Sequence, residues 1–143
     1  MRHFLLLTAL ALTACQPTTP KAQSVEKATV RLSAVPANPS AGYFTLHGGP
    51  VADRLMSVTS PLAIRAEMHD MSMGGGMMKM AAIEGGLELP AGGTISFAPG
   101  GKHVMLFDVS PKVSAGGKMP LHFTFASGAS LDALADVKAA GQE

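Results

Sequence analysis

Residues 87–109, LELPAGGTISFAPGGKHVMLFDV, hold three short apolar or alternating runs separated by two turns. The runs 87–89, 94–97 and 103–109 read as strands. The Pro-Ala-Gly-Gly and Pro-Gly-Gly words between them supply residues that end strands and reverse the chain. The same rhythm extends in both directions, with turn signals at 36–39, 48–50, 74–76, 85–86 and 116–117. It predicts further strands over 29–35, 42–46, 54–60, 63–69, 79–83 and 119–126, and hence an all-β sandwich or barrel. Segment 130–139, SLDALADVKA, stays open: Leu131, Leu134 and Val137 have helical spacing, while alternate residues also suit a frayed strand.

The chain has 143 residues, a formal charge of +1 and 15% charged residues. That length suits one domain, and neither a basic stripe for nucleic acid nor an acidic block is present. Residues 1–14 read as an address. A short positive start, an apolar run too brief to span a bilayer and the ending Leu12-Thr13-Ala14-Cys15 resemble the bacterial lipoprotein signal. That resemblance implies cleavage before Cys15 and a lipid on it. Gln16 in place of an aspartate points to the outer membrane if the host is Gram-negative. Cys15 is the only cysteine, so no intrachain disulfide forms. Residues 16–28 read as a flexible tether, 29–127 as the domain and 128–143 as a C-terminal tail.

Between Met68 and Met80 the chain places six methionines and one histidine, and His103 and Met105 follow. Thioether sulfur suits Cu(I), and imidazole serves copper in either oxidation state, so this mixture selects copper by softness. His103 and Met105, two apart on a strand, face one side. His69 closes a strand and Met80 opens the next, so a hairpin between them would bring both to the same place. The expected ligands of one Cu(I) are His69, Met80, His103 and Met105. Met71, Met73, Met77 and Met78 are read first as a pliable apolar cover, with a role as alternative ligands during transfer left open. Met68, Met56 and Met119 are read as core, Met68 sharing its strand face with Ile64 and Ala66. His122 is read as an ordinary strand histidine and His47 as a turn residue.

The spacing of His69, Met80 and His103-Val104-Met105, together with the words Met78-Lys79-Met80, Glu84-Gly85-Gly86, Leu89-Pro90-Ala91-Gly92-Gly93 and Pro99-Gly100-Gly101-Lys102, resembles the PCuAC family of periplasmic copper chaperones. Asp53-Arg54-Leu55 and Pro120-Leu121-His122-Phe123-Thr124-Phe125 fall where that family has similar words, so the likeness covers about 28–127. It implies a cupredoxin-like Greek-key β-barrel. It also implies one Cu(I) held by the two histidines and two methionines, and delivery to the copper centres of a respiratory oxidase or to another copper chaperone. Two departures stand out. His47 replaces a usual Asn, and no His/Met-rich tail follows the domain, which speaks against a Cu(II) role.

Competing readings are a metal-free or Met-rich interaction lipoprotein and a copper storage or tolerance protein. Blue-copper electron transfer needs a cysteine thiolate, and Cys15 is taken by the anchor. No Gly-x-Ser-x-Gly elbow or phosphate loop is present, so an enzyme is not expected. The expected protein is a monomer tethered by lipid to an envelope membrane.

Overall fold

The structure is a computed structural model that describes residues 21–142. The signal stretch 1–14, Cys15 and tether residues 16–20 lie outside the described residues. Ten strands occur among the described residues: β1 Ser24–Arg31, β2 Ser40–His47, β3 Asp53–Thr59, β4 Ala63–Gly74, β5 Met77–Ala82, β6 Leu87–Leu89, β7 Thr94–Phe97, β8 His103–Val109, β9 Lys118–Phe125 and β10 Ser130–Lys138. No helix occurs among the described residues.

Alternation explains the strands. Phe44 and Leu46 of β2, Val104 and Leu106 of β8, and Met119, Leu121, Phe123 and Phe125 of β9 point inward, and their neighbours point out. Phe44 is the hub of the core. Its ring stacks on Phe97 at 4.3 Å and meets Phe123 edge-on at 4.8 Å, both favoured aromatic arrangements. The strand order is β5-β4-β8-β2-β1-β10-β9-β3-β6, with β7 beside β2. One side of β2 therefore has two partners, β8 along Ser40 to Gly42 and β7 along Phe44 to His47. β3 returns against β4 without a ladder between them, so the sheet curls into an open barrel with its seam there.

The all-β expectation holds, with four local corrections. β1 starts at Ser24, inside the segment read as tether, because a bulge between Glu26 and Thr29 breaks its alternation. Lys27 takes φ 53° there, and Val25 lies on one side of the break with buried Ala28 and Val30 on the other. The supposed tail supplies β10, antiparallel to β9 and parallel to β1. Its inward residues Leu131, Ala133, Ala135 and Val137 alternate, while Leu134 is exposed, so the spacing of three was accidental. β4 runs five residues past His69, since only Gly75 and Gly76 are needed to turn the chain. Met56 and Ile64 are exposed rather than core. A bulge between Leu55 and Ser57 turns Met56 outward, and Ile64 lies exposed in the first residues of β4, next to the turn. Met68 and Met119 are buried as expected.

Candidate metal centre

β4 and β8 run antiparallel with His69 directly opposite His103, Met68 opposite Val104 and Glu67 opposite Met105. Met68 and Val104 are buried in the core. By alternation Glu67, His69, His103 and Met105 share the other, outward face. The two imidazoles stack there with ring centroids 5.9 Å apart and planes 28° apart.

On the far side of β4 the hairpin to β5 continues this face. The ladder pairs His69 with Ala82, Met71 with Met80 and Met73 with Met78. Met80 therefore stands one same-face step from His69, and its side chain is half exposed. Gly75 and Gly76, at φ 60° and 78°, make the two-residue turn that sets this register. Two successive positive φ angles define the type I′ hairpin, which glycine enters without steric cost. Met71, Met73 and Met78 lie on the same face as the histidines, and Met77 lies on the other.

The histidine nitrogens are not equivalent. His69 Nε2 is 3.1 Å from Glu67 Oε2, while its Nδ1 is buried with no hydrogen-bond partner. His103 Nδ1 is 3.0 Å from the Gly101 carbonyl oxygen. A carboxylate and a carbonyl only accept, so each neutral ring donates through the contacted nitrogen and keeps a lone pair on the other. His69 thus offers Nδ1 and His103 offers Nε2. Glu67 is itself held by Arg65, whose guanidinium lies 3.9 Å over the Phe107 ring. Buried polar atoms normally have partners, so the unpaired Nδ1 of His69 fits a site whose missing partner is an electrophile. The donor set around it, imidazole nitrogen and thioether sulfur without a thiolate, fits a soft monovalent ion.

The other histidines among the described residues, His47 and His122, lie elsewhere. His47 ends β2 away from its ladder with β8, with Nδ1 3.1 Å from Thr94 Oγ1 and Nε2 3.3 Å from the Glu26 carboxylate. That second contact is too poorly aligned for a hydrogen bond. His122 pairs with Asp132 at 2.7 Å across β9 and β10. Glu67 was missed in the sequence. Its signal was there in retrospect: two residues before His69, it must share that histidine's face.

The LpqE-like lipoprotein family matches residues 24–137. A protein described as a lipoprotein, Lxx21020 of Leifsonia xyli subsp. xyli, is 30% identical over 84 residues, 59% of this chain and 51% of its own length. The chain thus spans about half the length of that relative. The copper-bound PCuAC domain from PmoF2 superposes with a TM-score of 0.67 at 20% identity, covering 85% of this chain and 96% of that domain. Apo-DR1885 from Deinococcus radiodurans gives 0.60 at 26% identity with 97% of each chain covered. Its CuI form gives 0.58 at 25% identity, with 87% and 81% covered. The architecture is the cupredoxin-like one of these PCuAC domains.

Proposed function

The chain belongs to the LpqE-like lipoprotein family, and from that premise we propose that it is an envelope copper carrier that binds one Cu(I) on the outer face of β4, β5 and β8. The ligands in this reading are His69 Nδ1, His103 Nε2 and the thioethers of Met80 and Met105. The observation that carries it is the in-register His69–His103 pair. Each ring is fixed by an acceptor on one nitrogen, and both lie on a face otherwise supplied with methionine. The copper-loaded PCuAC domains support the same cargo on the same fold.

The chain's own groups suggest how the ion is kept and released. Glu67 and the Gly101 carbonyl orient the rings and fix which nitrogen of each keeps its lone pair for the ion. All four donors are neutral, so no ligand has to lose a proton beyond a neutral histidine's state. Met80 is half exposed, so an acceptor's ligand can displace it first, and transfer proceeds by stepwise exchange. This makes the protein a carrier rather than an enzyme. We take the recipient to be a copper centre of a respiratory oxidase, reached from a lipid anchor on Cys15.

Anaerobic competition with a Cu(I) chelator tests the site. Met80→Ala and His103→Ala should each lose Cu(I) to the chelator at concentrations where the parent retains it, with unchanged circular dichroism, and Zn(II) should bind far more weakly than Cu(I). Parent-like retention in both variants would remove the assignment. Oxidase copper content in a strain lacking the protein tests the recipient.

A further inference from the structure

We propose that the tip of the β4–β5 ribbon is a second Cu(I) site, built only from the thioethers of Met71, Met73 and Met78, through which the ion reaches or leaves the histidine site. The identity of the ion rests on the copper reading above; the placement of the sulfurs does not.

Three observations converge on the tip. First, Met71 faces Met80 and Met73 faces Met78 in the ladder, all on the side that carries His69 and His103. Directly opposed residues have Cβ atoms about 4.5–5.5 Å apart, and successive same-face residues are about 6.7 Å apart along a strand. Methionine's three rotatable bonds allow sulfurs from two such adjacent pairs to reach one ion.

Second, Met73 and Met78 are 67% and 51% exposed. A cover that served the core would be buried, and exposed apolar side chains gain nothing from the hydrophobic effect. Every residue of β5 is exposed, so the ribbon projects from the barrel. Third, among the described residues of the ribbon no oxygen or nitrogen side chain shares this face at the tip. Asp70, Ser72 and Lys79 alternate onto the other side with Met77. A face of sulfur alone discriminates for Cu(I) and Ag(I) and against Zn(II), Mg(II) and Ca(II).

His69 and Met73 are four residues apart on β4, roughly 13 Å, so the tip and the histidine pair cannot share one ion. Met80, opposite Met71, stands between them. An ion bound at the tip can add Met80 and then a histidine nitrogen while releasing Met73 and Met78. Only dative bonds change in that exchange; copper stays Cu(I).

The test uses the full chain with 13C-methyl-labelled methionines, titrated anaerobically with Ag(I) and then with Cu(I). The first equivalent should shift the methyls of Met80 and Met105. The second should shift those of Met71, Met73 and Met78 and leave Met77 in place. Met71→Leu/Met73→Leu/Met78→Leu should lower the Cu(I) stoichiometry from two to one without weakening chelator-resistant retention of the first ion. Met73→Leu alone should weaken the second ion. In His69→Ala/His103→Ala the tip methyls should still shift. Unmoved Met73 and Met78 methyls at two equivalents, or two ions retained by the triple variant, would overturn the tip site. Parent-like retention in the double histidine variant, with the tip shifts intact, would instead overturn the histidine site.

Discussion

Glu67 and Asp53 are both surface carboxylates, and their neighbours give them different work. Glu67 accepts from His69 and is braced by Arg65. Loss of a group that orients a metal ligand typically costs about 10- to 100-fold in affinity. Glu67→Ala should lower Cu(I) retention by that order, and Glu67→Gln should recover much of it, because an amide oxygen still accepts from Nε2. The nitrogen-15 spectrum of His69 checks the cause, since the alanine variant should lose the fixed Nε2–H tautomer. Asp53 instead ties three segments together. Its carboxylate accepts from Ser127 Oγ at 2.5 Å, Gln23 Nε2 at 3.0 Å, and the backbone N–H groups of Arg54 and Ser127. Those bonds, the Ser127 hydroxyl foremost, hold its pKa at about 2 rather than 3.8. A lowered pKa means a contribution to stability that is complete above the unfolded value and disappears as pH falls through the folded one. Asp53→Asn should therefore unfold with a flatter pH dependence between about 4 and 2 than the parent, as acid titration followed by circular dichroism would show.

Among the elements, the β4–β5 ribbon depends most on local chemistry. Gly76 sits at φ 78°, and a Cβ placed there meets nothing within 4 Å. The penalty for Gly76→Ala is thus conformational, about 1–2 kcal/mol for an L-residue in the left-handed region. Amide exchange in β5 should accelerate about five-fold or more, while β9 amides keep their protection. The same ribbon shows what the sequence carried and what it did not. Strands bounded by Pro and Gly, such as β6, β7 and β8, were legible because turn residues and alternation agreed. His103 and Met105 were placed on one face by alternation alone. β1 was misplaced because a bulge interrupts its pattern, and β10 stayed ambiguous because Leu134 adds a false helical spacing to a true alternation. The opposition of His69 to His103 was out of reach, since the register between strands more than thirty residues apart is a tertiary fact. Glu67 was legible in principle, since its partners Arg65 and His69 stand two residues away on the same strand and so on the same face.

At the scale of the molecule, β1 is held between β2 and β10, with Thr29, Val30 and Arg31 paired in parallel to Asp136, Val137 and Lys138. β10 also covers the edge of β9 and buries Ala135 and Val137. Domain stabilities are only about 5–15 kcal/mol, and loss of a central strand removes ladders on both sides. A chain ending at Ser127 should show no cooperative thermal transition. One ending at Ala139 should melt as the parent does, which differential scanning calorimetry would check.

The donors of the outer face owe their meeting to main-chain pairing whose inner side is sealed by Met68, Val104 and Leu106. A slip of β4 by one residue would send His69 into the core and Met68 into water. Over evolutionary time such a barrel can exchange one donor type for another and so change its cargo. It can also lengthen the Gly75-Gly76 turn. A single inserted or deleted residue within β4 or β8 that no bulge takes up is what it cannot absorb, because that one event would invert one wall of the site and the core beneath it together.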